Sequence, residues 1–537
     1  MNCYTAAIPE GSQFMTESDP WAARLEWLWM LSLVLIPALV LVFLRGVDAN
    51  WDLRNYHLYN PHAWLTGRWA IDVAPAQLQT WHNPMLDVPL YLLAVSGLDM
   101  RWTNLWLTLP FAFAIWMLLR LHVALSPIAP TRTSQAVLAF LALTGATTYA
   151  TIGNSMNDGF VAAAILGGLV LVLVPENASH RRWLLAGLIA GAMMGLKLTA
   201  SVYCLALTCA ALVAGPWKDR ILRLSALGVG GVIGFIASYG YWGWRLFKLY
   251  GNPFFPYYNN FFKSPELGLL DYADGRFRAH GLGEALLIPF ELLRKATTHS
   301  ELYIKDPRVL VGLLGLIALV WLTRRRAATL KVRAAMLAVF FISALLIWAL
   351  QYGIYRYLAT LELLGSLSLV LLVSYLPQWR NLALVAALLL VTAATTRPNW
   401  GHSHDNTQMF GIQPAPVDGD AMILIAGGEP LAFLALGLPP DVPMVAVSNN
   451  ILSPSDCPGM QLRAKQAIDS HQGTYWLLAE DGAAAERGEV ILRDFYGMRR
   501  AGQCRDYPSS LLTARLCPQR RDAGIKACAG ATGAELR

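Results

Sequence analysis

Charge is what this sequence has least of. Asp, Glu, Lys and Arg make up 14% of its 537 residues, against 55% hydrophobic, whereas a soluble chain carries nearer a quarter charged. That shortage excludes an ordinary soluble fold. The apolar residues also gather in blocks of about 18–25, the length on which a helix crosses a bilayer. Soluble-enzyme signatures are missing as well: there is no Walker-A loop, no His/Cys cluster at zinc spacing and no serine nucleophile elbow. No regular march of charges through the apolar blocks suggests an ion pump, and no internal repeat or low-complexity tract appears. The first 25 residues are polar and lack the basic-then-apolar pattern of a cleavable signal peptide. Met15 is a second candidate start.

What is present is a polytopic α-helical membrane protein of about 11 spans with a small C-terminal α/β domain. The formal charge of +7 does not point to nucleic acid, because the Lys/Arg excess sits in short loops between spans, as the positive-inside pattern requires. With residues 1–26 cytoplasmic, the expected spans are 27–45, 102–122, 133–152, 159–175, 183–197, 199–215, 222–244, 309–323, 333–351, 357–376 and 381–396. The membrane part then covers 27–400, with external loops at 46–101 and 246–308. Residues 84–97 are too short and too proline-marked to cross and read as a helix along the interface.

The last segment, 401–537, changes character. Met422-Ile-Leu-Ile-Ala, Met444-Val-Ala-Val-Ser and Thr474-Tyr-Trp-Leu-Leu-Ala read as buried strands, and 429–438, 460–470 and 482–496 as helices. That alternation predicts a parallel sheet. Of seven cysteines, Cys204 and Cys209 lie in an apolar run, and the other late ones are Cys457, Cys504, Cys517 and Cys528. Cys504 and Cys517, thirteen apart around a Tyr-Pro-Ser-Ser turn, are a candidate disulfide, which suits an oxidising periplasm.

The first external loop carries the densest chemistry. Asp48, Asp52 and Asp72, with His57 and His62, fall among tyrosines and tryptophans where the chain leaves the first span. A carboxylate there can deprotonate an acceptor while the bilayer holds a greasy substrate beside it. The bland alternative is an interfacial loop, since Trp and Tyr favour the headgroup level.

Asp52-Leu-Arg-Asn-Tyr56, then Gly67-Arg-Trp69, then Asn83-Pro84 leading into Val88-Pro-Leu-Tyr-Leu-Leu, resemble the first external loop of the GT-C glycosyltransferases. That membrane superfamily includes protein O-mannosyltransferases and aminoarabinose transferases. The resemblance covers roughly residues 27–400 and implies that Asp52 is the catalytic base. Many relatives carry a second acid beside it where this chain has Leu53, so only Asp48 is left to assist. Tyr56 and His57 would contact donor or acceptor. Asp158, with Asn154 and Asn157, falls on the second external loop, where the superfamily commonly has an acid that orients substrate or helps hold an optional divalent metal. Its alternative is a helix cap.

Three further places complete the expectation. Lys197 resembles the lysine of a Gly-Leu-x-x-Lys-Gly segment in compressed form and offers a cation to a lipid phosphate; a lysine reaching for the interface is its alternative. Arg245 and Lys248 precede the aromatic stretch Tyr250-Gly-Asn-Pro-Phe-Phe-Pro-Tyr-Tyr, which proline and glycine keep irregular. A cationic edge beside aromatics suits a polyprenyl-phosphate headgroup and a sugar. Arg356, in Tyr-Arg-Tyr-Leu, resembles an Arg-Tyr-Leu of the superfamily and would steady the departing phosphate. The implied activity is an inverting glycosyltransferase in a bacterial inner membrane. It would move a sugar from polyprenyl phosphate to a periplasmic lipid, glycan or protein. A polytopic transporter or flippase, and a non-catalytic subunit of a glycan assembly system, are the competing classes.

Overall fold

Each of the eleven apolar runs is wholly or partly helical in the computed structural model, which describes residues 20–376, 378–403 and 411–528. Five are long and apolar enough to cross a membrane: Arg24–Leu44, Met100–Leu125, Trp217–Tyr250, Ala328–Gln351 and Tyr355–Val373. Others are shorter than a crossing needs. The run 133–152, expected as one span, breaks at Gly145 into Arg132–Leu143 and Ala146–Thr151. The run 199–215 keeps only Ser201–Ala211 as helix, about 16 Å. Conversely, the expected span 222–244 extends over Trp217–Tyr250, roughly 50 Å, longer than the hydrocarbon thickness of a bilayer. Both breaks leave backbone groups free to meet polar side chains, and both border the buried polar clusters described below.

Glycine spacing fixes one helix pair. A Cβ on Gly187 or Gly191 would strike the backbone of Trp217–Tyr250, and one on Gly230 or Gly234 would strike the backbone of His180–Leu196. Such four-apart small residues let helices approach closely where lipid supplies no hydrophobic drive. The opposite face of Trp217–Tyr250 leaves Val229, Val232, Ile233 and Ile236 exposed, as a lipid-facing stripe must. In the interface segment, the helix Val88–Val95 buries Leu90 and Tyr91 and exposes Leu92 and Val95.

In the C-terminal segment, three strands run parallel in the order Met444–Ser448, Met422–Ala426, Tyr475–Glu480. The sheet is not wholly parallel as expected. Thr513–Arg521 adds antiparallel to Tyr475–Glu480, and Met498–Arg500 and Arg505–Pro508 both pair with it. These late strands are charged and half-exposed, so they carry no buried-strand signature. The helix expected at 429–438 is a 3₁₀ stretch, Ala432–Gly437. Cys504 is bonded to Cys517, and Cys457 to Cys528.

The sheet is joined to the loop that follows the first long apolar helix. Val73 bridges Val445 in parallel register and bonds Met444 and Ala446 at 3.0 and 2.9 Å, extending the sheet by one residue. Arg68 and Asp72 form a buried ion pair (3.0 Å) that also takes the Met444 amide (2.8 Å) and the Val442 carbonyl (2.7 Å). Nearer the bilayer, Val47–Asp48 pairs with His402–Ser403. The loop holding Asp52 is therefore clamped at both ends by chain that follows the last helix.

Candidate active site

Asp52 opens a π-helical turn, Leu53–His57, whose Leu53 amide donates to the Asn50 side-chain Oδ1 (2.7 Å). Such turns are rare and recur at functional sites. The Asp52 Oδ2 accepts from Arg356 Nη1 at 2.8 Å, with both side chains about six-sevenths buried. Arg356 is held by its neighbours: the Tyr355 amide donates to His299 O (2.7 Å), Trp348 Nε1 to Ile354 O (2.8 Å) and the Tyr355 hydroxyl to Glu362 (3.2 Å). Burial pushes the Asp52 carboxyl up, but Arg356, His57 and Lys197 outweigh it and hold it below the usual carboxylate range.

A second cation stands nearby. Lys197 follows the last turn of His180–Leu196, donates to Met156 O (2.5 Å) and pairs with Asp158. Asp158 opens the helix Asp158–Leu173, and Asn157 before it takes the left-handed conformation that Asn tolerates best after glycine. Asn157 then donates to Asp87 Oδ1 at 2.7 Å. The other Asp87 oxygen lies 2.8 Å from His57 Nδ1, out of line for a hydrogen bond, and His57 Nε2 is buried with no partner. Across from it, His82 Nε2 meets the Tyr257 hydroxyl at 2.8 Å. Burial lowers the His82 imidazole to about 4, so it is neutral at pH 7.

These groups surround a cavity of about 190 Å³. Its polar wall includes His57, Asp87, Asn157, Lys197, Asp274 and Arg356; its aromatic wall includes Tyr56, Trp81, Tyr239, Phe254, Tyr257 and Tyr357. Asp52 and Asp158 are outside the lining and stand directly behind Arg356 and Lys197. Among the described residues Asp52 Oδ1 accepts no hydrogen bond.

Other expected residues lie elsewhere. Asp48 is 1% exposed, and its carboxylate accepts from Asn50 Nδ2 and the Ser155 amide, each at 2.7 Å. Burial raises its pKa against those bonds. It braces the first loop against the second external loop and does not reach the cavity. Arg245 stacks on Trp69 (4.6 Å) in a separate, smaller pocket, and Lys248 lies over Trp244 (4.7 Å) on the exposed face. Helix direction separates them from the phosphate-sized space that sequence order alone suggested. Asp87 and His82 escaped sequence reading, whereas Tyr257 belongs to the aromatic stretch already singled out. The one available signal was Asp87 itself, an acid inside an otherwise apolar segment.

The donor set does not suit the optional metal at Asp158. Asp158 Oδ1 faces the Lys197 ammonium, and although Oδ2 has no hydrogen-bond partner, no two further acids, histidines or cysteines among the described residues stand with it to share an ion. Among the described residues, the one group of three His, Cys, Asp or Glu atoms close enough to share an ion is Glu489, Cys504 and Cys517. That group lies in the C-terminal segment, with both sulfurs already in a disulfide.

No family model and no curated protein matches this chain. Among solved structures, it is similar to the oligosaccharyltransferase of Archaeoglobus fulgidus, crystallised tethered to an acceptor peptide containing the NVT sequon. The two are 11% identical with a TM-score of 0.43, over 89% of this chain and 70% of that one. A likeness at this level carries no weight for activity or substrate.

Proposed function

We propose that this chain is an inverting membrane glycosyltransferase that takes its sugar from a polyprenyl-phosphate donor and passes it to an acceptor outside the cytoplasm. One observation carries the reading. Arg356 and Lys197, from distant segments, meet at a single aromatic-lined cavity, each backed by an acid that keeps it in place. A phosphate diester entering there meets two fixed cations, and the guanidinium can bond two of its oxygens. Aromatic faces give a sugar and the first isoprene units apolar contact.

In this reading an acceptor hydroxyl attacks the anomeric carbon from the side opposite the phosphate. The C–O bond to phosphate breaks with its electron pair, and Arg356 and Lys197 take up the growing negative charge. Asp52 keeps Arg356 aimed at that oxygen. The C-terminal sheet, which grips the loop behind the site, serves as cover and acceptor platform.

The test is mass analysis of glycans and glycolipids from cells lacking this chain, complemented by wild type or by Asp52→Asn. Loss of one glycosyl unit in the mutant, with the protein still abundant in membranes, supports transfer chemistry. Unchanged glycans in cells lacking the chain altogether would reject the reading.

A further inference from the structure

We propose that His57, with Asp87 beside it as counter-charge, is the base that takes the acceptor's proton, with Asp52 acting only through Arg356. This rests on the transferase reading above. A buried polar atom without a partner is rare, and each one calls for an explanation. His57 is 2% exposed and lines the cavity, yet among the described residues neither ring nitrogen has a hydrogen-bond partner, and while Asp87 stands beside Nδ1, no acid stands beside Nε2. The missing partner is a group the cavity receives.

On the other side of the ring, Asp87 Oδ2 stands 2.8 Å from Nδ1, and Asn157 fixes that carboxylate. An acid behind one imidazole nitrogen steadies the positive charge that forms when the other nitrogen accepts a proton. Tyr56 packs on the ring at 4.0 Å between centroids and limits its rotation. Asp52 suits the role less well: it is outside the cavity lining, bound to Arg356, and held below the usual carboxylate range, which makes it a weak base.

The step balances. The acceptor O–H bond breaks as its oxygen bonds the anomeric carbon, and the proton passes to Nε2. The leaving electron pair stays on the polyprenyl phosphate. His57 then carries one positive charge against Asp87. The charged and titratable groups around it are Asp48, Asp52 and Tyr56 on its own loop, His82 and Asp87 on the next segment, and Lys197, Tyr257, Asp274, Arg356 and Tyr357 across the cavity.

The experiment uses full-length protein in membranes that complement the deletion. His57→Ala and His57→Gln should each slow transfer about a hundredfold or more. Added imidazole should restore part of the rate to His57→Ala. Binding of undecaprenyl phosphate alone should match wild type in both variants. In Asp87→Asn, with the counter-charge gone, the acid limb of the rate should move to lower pH, a shift that mere misfolding would not produce. An active His57→Gln, or an unmoved acid limb in Asp87→Asn, overturns the assignment while leaving the transferase reading intact. Wild-type membranes that transfer no sugar overturn both.

Discussion

Two polar clusters lie within this helical protein, built from the same parts and finished differently. The first joins Arg308 and Asp306 to Glu362. Arg308 spends every guanidinium nitrogen: on both Asp306 oxygens (2.9 and 3.0 Å), Thr395 (2.7 Å), Thr144 (2.9 Å) and the Leu141 carbonyl. Glu362 accepts from the Thr147 and Thr148 amides (2.8 and 2.9 Å), the Thr148 hydroxyl (2.7 Å) and Tyr355, filling the break at Gly145. The second joins Arg356, Asp52, Lys197, Asp158, His57 and Asp87, and it leaves Arg356 Nε, Asp158 Oδ2 and His57 Nε2 buried and unpartnered. A closed network ties helices together; an open one awaits a guest. Burial and charge alone do not separate the two, but counting satisfied atoms does.

The contrast can be attacked first at its closed half. Arg308→Ala strands Asp306 and the Leu141 carbonyl, so it should destabilise the fold by about 3–5 kcal/mol and empty the membranes of protein on immunoblots. If that variant accumulates normally, the closed cluster is not a scaffold. Arg356→Gln should instead leave abundance and thermal unfolding near wild type while lowering transfer by about 10²–10³-fold, read as loss of the glycosyl unit. A drop in abundance as large as that of Arg308→Ala would erase the distinction.

A smaller effect concerns pH. His82, and in part His62, are lowered from 6.5 to about 4, in both cases first by burial. Between those values the unfolded chain binds more protons than the folded one, so stability falls as pH drops from 6.5 towards 4. Thermal unfolding in detergent at pH 7 and pH 5 should show that loss, and His82→Gln should reduce it; equal pH dependence in the two proteins would refute the cause. Smallest of all, Lys248→Ala should change transfer by less than about twofold, because its ammonium rests on Trp244 away from the cavity. A large loss would mean that the phosphate reaches further than the two facing cations.

Much of this was readable before any coordinates. Lys197 could be named because a lone charge in an apolar setting stands out, Asp52 and Arg356 because the motifs around them resemble those of a known superfamily, and the helices fall mostly on the apolar runs. Pairings were the hidden part. Arg356 meets Asp52 across a separation of 304 residues, and Lys197 meets Asp158 across 39. Arg245 looked equivalent to Arg356 in sequence, yet its helix turns it towards Trp69. Asp87 lay inside a segment whose proline and leucines advertised the interface, and its importance comes wholly from His57 and Asn157. The antiparallel strands were missed for a related reason: Thr513–Arg521 is stabilised by its neighbours and not by an apolar pattern of its own.

The bridge between the first loop and the late sheet has a bearing on biosynthesis. Asp72 finds the Met444 amide 372 residues downstream, so a ribosome must deliver nearly the whole polypeptide before the segment carrying Asp52 can settle. Prematurely terminated chains would insert their early helices normally and still present an unset loop. Competence would thus arrive last in the life of the nascent protein, after the final helix is in the membrane.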